Sequence, residues 1–175
     1  MNHHFVNFEG KTCLVTGAGS PSGIGFATAK ILAELGAEVA FVATTERIYE
    51  SAEELKRQGV RVKGYIADLM DRDQVERVIA EIVSEFGSIQ VLINNAGMVQ
   101  VGGEEDFAEI SKITYESWDA SINRNLNITF NVTKTVLPYM IRDGYGRIVN
   151  VSSVTGPVVS NPGEAADSAA KAGVV

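Results

Sequence analysis

The feature that most restricts this chain's fold is an alternation of short apolar runs with longer amphipathic stretches. Cys13 to Val15, Val39 to Ala43, Val60 to Ile66, Ile89 to Ile93 and Gly146 to Val151 are too short for helices and read as strands. Between them, apolar residues recur at helical spacing. Ile24, Ala27, Ile31, Leu32 and Leu35 form one stripe, and Ile48, Ala52 and Leu55 a second, while Val75, Val78, Ile79, Ile82, Val83 and Phe86 form a third. Strands joined by helices of this length make right-handed crossovers and bury both faces of one parallel sheet. The pattern predicts the α/β class, a doubly wound parallel sheet in a single domain over residues 1–175.

Local signals set the boundaries. Gly36, Gly59 and Gly87 follow the three helical stripes as stops. Ser22 is expected to cap the first helix and Thr45 the second, and Asp71 and Asp73 favour the start of the third. Met98 to Thr114 breaks the rhythm and reads as a solvated loop, glycine-rich and then acidic at Glu104-Glu105-Asp106. Ser117 to Met140 reads as one long helix with Trp118, Ile122, Leu126, Phe130, Leu137 and Met140 near one side. Asn123, Asn127 and Asn131 then fall on a side expected to face solvent. Pro157 and Pro162 bound an irregular segment, and Glu164 to Val175 begins a further helix.

The net charge of −7 argues against nucleic acid as a partner. No run approaches the length of a membrane span, and no signal peptide is visible. A single cysteine, Cys13, fits a reducing compartment, and the cytoplasm is the expected location. His3 and His4 stand alone and suggest no metal site.

In a parallel sheet, ligands bind outside the carboxyl ends of the strands. The polar residues of this chain gather there: Thr16-Gly17 after the first strand, Asp68 after the third, Asn94-Asn95 after the fourth and Ser153 after the fifth. Between Thr16 and Gly25 the turn is built of small residues, which let a ligand approach the backbone where side chains at Gly17 or Gly23 would block it. The helix that follows aims free N–H groups at that turn, an arrangement suited to phosphate. A nucleotide-hydrolysing phosphate loop is excluded, because Ile24-Gly25 stands where Gly-Lys-Ser/Thr is needed. Asn125 lies on or beside the apolar face of its helix, where a buried amide is costly without partners.

Together these residues resemble the short-chain dehydrogenase/reductase family, whose fold is the Rossmann type. Thr16-Gly17 through Gly23-Ile24-Gly25 is similar to its glycine motif, with two extra residues, and Asn94-Asn95-Ala96-Gly97 matches a second motif in full. The resemblance implies hydride exchange between a nicotinamide and a ketone or secondary alcohol. It places Asn125, Ser153 and Lys171 at catalytic positions. For the cofactor it implies Gly17, Gly19, Ser20, Ser22, Gly23, Ile24, Gly25, Thr44, Thr45, Asp68, Leu69, Asn95, Ala96, Gly97 and Lys171.

One catalytic position departs from the family. The proton-donating tyrosine, four residues before the lysine, is here Asp167. A carboxylate near Lys171 is expected to have a lowered pKa, and its side chain is shorter than a phenol's. Activity is therefore expected to be impaired, with a non-catalytic dinucleotide-binding protein, in which Asp167 and Lys171 form an ion pair, or an inactive fragment as the alternatives. Strand two ends at Ala43-Thr44-Thr45 without a carboxylate until Glu46, and Arg47 is placed to meet a 2′-phosphate, which favours NADP(H) over NAD(H). By resemblance the chain lacks the family's C-terminal strands and substrate loop and would form a dimer or tetramer.

Overall fold

The computed structural model describes residues 6–57, 59–97 and 108–175. His3, His4 and the acidic run Glu104-Glu105-Asp106 lie outside the described residues. The elements run β1 (Thr12–Thr16), α1 (Ile24–Glu34), β2 (Glu38–Ala43), α2 (Arg47–Lys56), β3 (Val62–Ile66), α3 (Arg72–Phe86), β4 (Val91–Asn94), α4 (Tyr115–Ile122), a π-helical turn (Asn123–Asn127), α5 (Ile128–Arg142), β5 (Arg147–Asn150) and α6 (Ala165–Val174). The five strands form one parallel sheet in the order β3-β2-β1-β4-β5. The chain winds outward from β1 to β3, then returns to place β4 on the other side of β1. That reversal leaves a crevice beyond the carboxyl ends of β1 and β4.

Alternation along the strands divides the core into two layers. Cys13 and Val15 face one side with Val39, Phe41, Val91 and Ile93, where Phe26, Leu32, Ile48 and Leu55 of α1 and α2 cover them. Leu14, Ala40, Val42 and Leu92 face the other side, beneath Val75, Ile79 and Ile82 of α3 and Ile128, Val132 and Val136 of α5. The outermost strands differ. β3 carries Lys63, paired with Glu85 of α3, whereas all of β5 is exposed, with Ile148 and Val149 at 37% and 50%.

Several local expectations need correction. Neither Ser22 nor Thr45 caps a helix: α1 starts from Gly23 and α2 from Glu46, both without a side-chain cap. Ser22 Oγ instead lies 3.3 Å from Ser20 Oγ. Asp71 does cap α3, accepting from the backbone N–H groups of Asp73 and Gln74. The long helix is interrupted by the π turn, which inserts extra rotation and moves the inward face. Phe130 and Leu137 are consequently exposed at 58% and 41%, while Asn131 is buried and donates from Nδ2 to the Leu69 carbonyl at 3.1 Å.

Candidate active site

The crevice is held open by one polar clasp. Thr16, at the end of β1, turns its Oγ1 toward the segment after β4 and accepts from the N–H groups of Asn95 and Ala96 at 3.1 and 3.0 Å. Asn95 reciprocates, its Nδ2 donating to the carbonyls of Thr16 and Gly17 at 3.0 and 3.1 Å. Gly17 is required in this clasp twice over. Its φ is +70°, and a Cβ there would lie 2.8 Å from Ala96 Cα. Gly25 is equally constrained from below, since a Cβ would meet Asn95 Nδ2 and the Gly17 carbonyl at 2.6 Å. At Gly23 the nearest atom would be 3.2 Å away and φ is negative, so the demand there is weaker.

A groove extends from this clasp across the sheet. It is lined by Gly17 and Gly19, by Thr44, Thr45 and Arg47 beyond β2, by Asp68, Leu69 and Met70 beyond β3, and by Asn95, Ala96 and Gly97 beyond β4. Its remaining wall comes from Ala120, Asn123, Arg124 and Ile128. Nine of the sequence-predicted cofactor residues thus share one groove, and Lys171 reaches it only through Gly97. Ser20, Ser22, Gly23, Ile24 and Gly25 do not line it: Ile24 is 68% exposed, and Gly25 is buried against the clasp. Asp68 holds its turn by accepting from the Met70 N–H through Oδ1.

At the inner end, Asn125 and Lys171 converge on Gly97. Lys171 Nζ donates to the Gly97 carbonyl at 2.9 Å, and a Cβ added at Gly97 would lie 3.4 Å from Asn125 Oδ1 and 3.5 Å from Lys171 Nζ. Asn125 sits in the π turn, 4% exposed; its Nδ2 donates to the Ser121 carbonyl, while Oδ1 has no partner among the described residues. A buried, unsatisfied amide oxygen beside a lysine is costly unless a ligand or water uses it. Ser153 is exposed, its Oγ accepting from the Thr155 N–H. Its neighbour Ser152, not singled out from the sequence, donates from Oγ to the Lys171 carbonyl at 2.6 Å and ties α6 to the end of β5. Only the doubled serine hinted at this role.

Asp167 contradicts its expected electrostatics. It forms no ion pair with Lys171 among the described residues, and Nζ donates instead to the Gly97 carbonyl. Loss of water raises the Asp167 pKa, outweighing the lowering effect of Lys171, with Glu164 adding to the rise. Burial likewise lowers the Lys171 pKa, with Asp167 opposing.

Comparison with known proteins decides what this arrangement belongs to. A family profile described as short chain dehydrogenase matches residues 11–175. The chain belongs to the short-chain dehydrogenase family. It is 42% identical to the 3-oxoacyl-[acyl-carrier-protein] reductase FabG of Thermotoga maritima, over 97% of this chain and 66% of that protein. It is 39% identical to the oxidoreductase UcpA of Salmonella typhimurium, over 95% of this chain and 60% of the relative. Among solved structures, an NAD+-bound xylitol dehydrogenase superposes with a TM-score of 0.86 at 33% identity, covering 95% of this chain and 62% of that one. The chain therefore spans about three fifths to two thirds of the length of these relatives. Among its described residues, no helix is long and apolar enough to cross a membrane.

Proposed function

We propose that this chain is the dinucleotide-binding part of a short-chain oxidoreductase that acts on a ketone or secondary alcohol. The observation that carries this reading is the groove itself. It starts at a clasp where side chains on Gly17 or Gly19 would meet backbone or Ala43, and ends at the paired approach of Asn125 Oδ1 and Lys171 Nζ to Gly97. A nicotinamide cofactor bound there supplies or accepts the hydride. Gly17, Gly19, Asn95, Ala96 and Gly97 would line its bed, with Asp68 and Leu69 at the adenine end and Thr44, Thr45 and Arg47 near the adenosine ribose. Lys171 would hold the nicotinamide ribose, Ser153 the substrate oxygen, and Asn125 a proton relay.

We infer a preference for NADP(H), supported by Arg47 and the two threonines at the β2 end of the groove, where no carboxylate lines the wall. Impaired proton transfer is supported by the short reach of Asp167, which remains even though burial raises its pKa. A non-catalytic dinucleotide-binding role is the second reading, favoured by the same residue. Self-association is supported by the outward face of α5, where Phe130, Leu137 and Ile141 are exposed.

The test is Asp167→Tyr, assayed for ketone reduction with NADPH and with NADH in the protein extended to the length of its relatives. The expected result is a rise in kcat/KM of at least 100-fold over the aspartate form, on the order of a general acid's contribution, larger with NADPH. If both forms stay at background across a broad panel of ketones while still binding NADPH, the non-catalytic reading replaces the enzymatic one.

A further inference from the structure

Lys171 brings an amine to the inner end of the groove without a paired carboxylate. Its Nζ donates once, to the neutral Gly97 carbonyl at 2.9 Å, and makes no other hydrogen bond or ion pair among the described residues. On the surface, by contrast, Lys56, Lys63 and Lys112 meet glutamates at 2.7, 3.0 and 2.9 Å. Lys171 is unpaired although half-buried. Its nitrogen meets the groove at Gly97, where a Cβ would lie 3.5 Å from Nζ. Asn125 Oδ1, buried and without a partner among the described residues, approaches the same point at 3.4 Å. Asp167 stands one helical turn before Lys171 on α6, close enough for each to shift the other's proton affinity.

We infer that Lys171 is a nucleophile that forms an imine with a small ketone or aldehyde entering the cofactor-free groove, an activity separate from hydride transfer. It rests on the reading above only in that a carbonyl compound enters at this end. An ammonium must lose a proton before its nitrogen attacks, and a site that removes water without supplying a paired counter-charge favours that loss. Burial lowers the Lys171 pKa accordingly. The nitrogen lone pair then forms the C–N bond while the C=O π pair moves to oxygen, giving a carbinolamine. Next the C–O bond breaks and the lone pair closes C=N. Two of the three ammonium protons leave with that oxygen as water. Ammonium and ketone thus become iminium and water, with no oxidant or reductant consumed. Asp167, whose pKa is raised by loss of water, is placed to take the first proton and return it to the departing hydroxyl. Asn125 Oδ1 is free to accept from the carbinolamine hydroxyl. With aspartate at the tyrosine position, the amine is the strongest nucleophile at this end of the groove.

The test treats the purified chain at neutral pH with cyclohexanone and sodium cyanoborohydride, which reduces an imine to a stable secondary amine. Alkylated peptides are then mapped by mass spectrometry. The other lysines, Lys11, Lys30, Lys56, Lys63, Lys112 and Lys134, are internal standards in the same sample. Lys171 is expected to be labelled roughly 10- to 100-fold faster than any of them, the lower end of what one positioned proton-transfer group contributes. In concentrated urea the rates should converge, which ties the difference to the fold. Saturating NADPH is expected to suppress labelling at Lys171 alone. Labelling spread evenly over the lysines of the folded chain, or an advantage at Lys171 that survives unfolding, would overturn the proposal. Selective labelling that NADPH leaves unchanged would uphold the imine and count against the dinucleotide reading. NADPH binding without selective labelling would do the reverse.

Discussion

Asp167 stands half-buried in the first turn of α6, one helical turn before Lys171, and the loss of water around it outweighs the pull of that cation. The sign of its effect on stability follows. Its folded pKa lies above the ordinary value of 3.8, so the native state binds more protons than the unfolded chain between those two values. Stability is then lost as pH rises through that window and stays lower above it. Asp167→Asn, which cannot ionise, is expected to melt higher than the parent at pH 7 and at nearly the same temperature near pH ~3, below both pKa values. A parent more stable than the asparagine form at pH 7 would mean that Lys171 dominates after all. The glycines show a second limit of residue-level reading. Spacing marked Gly17 and Gly23 alike, but backbone angle and neighbouring atoms separate them. Gly17→Ala and Gly25→Ala are expected to weaken NADPH binding roughly 10- to 100-fold, from strain of about 1–3 kcal/mol in the clasp. Gly23→Ala should stay within about threefold by fluorescence titration, since its neighbour need give only a few tenths of an ångström.

At the level of elements, strand periodicity and glycine stops placed β1 to β5 and α1 to α3 within a few residues, because each carries a pattern with a single period. The stretch after residue 114 was less legible because its period changes partway. The π turn at Asn123–Asn127 rotates everything beyond it, so a face extrapolated from Trp118 and Ile122 points Phe130 and Leu137 inward when they are exposed. The same rotation turns Asn125 and Asn131 into the protein and leaves Asn127 outside. The motif marked Asn125, whereas nothing in the local sequence separated Asn131 from Asn127. Their energies should differ accordingly. Asn131→Ala removes the donor to the Leu69 carbonyl inside the core and is expected to cost about 1–3 kcal/mol in urea unfolding. Asn127→Ala, on the exposed side, should fall within about 0.5 kcal/mol of the parent. Equal costs would mean that the helix continues through residues 123–127 without the π turn. Because Asn131 also steadies the β3 end against α5, its loss should weaken the end of the groove proposed for the adenosine more than the clasp at Gly17.

Across the whole molecule, the groove draws on the ends of β1, β2, β3 and β4 and on the helical segment bearing Asn125, so a ligand seated in it bridges both core layers. β5 and α6 are held differently. Asn94 Nδ2 donates to Thr133 Oγ1 and Asn150 Oδ1, Asn150 Nδ2 donates to the Val174 carbonyl, and Ser152 holds the Lys171 carbonyl. These polar links fix Lys171 at the groove, although β5 itself is exposed and its outer edge is unpaired among the described residues. Ligand binding should therefore act on the fold as a unit rather than on one loop. At a free concentration one hundred times its Kd, NADPH is expected to stabilise the native state by about 2.7 kcal/mol. For a chain of this size that corresponds to a rise in melting temperature of roughly 5–11 °C in a calorimetric scan. At the same concentration the stabilisation should fall to about 0.4–1.4 kcal/mol in Gly17→Ala and, through the loss of the Nζ contact with Gly97, be reduced in Lys171→Ala. An unchanged transition at millimolar NADPH would separate the groove from dinucleotide binding. A rise undiminished in Gly17→Ala would place the ligand away from the clasp and from the convergence of Asn125 and Lys171 on Gly97.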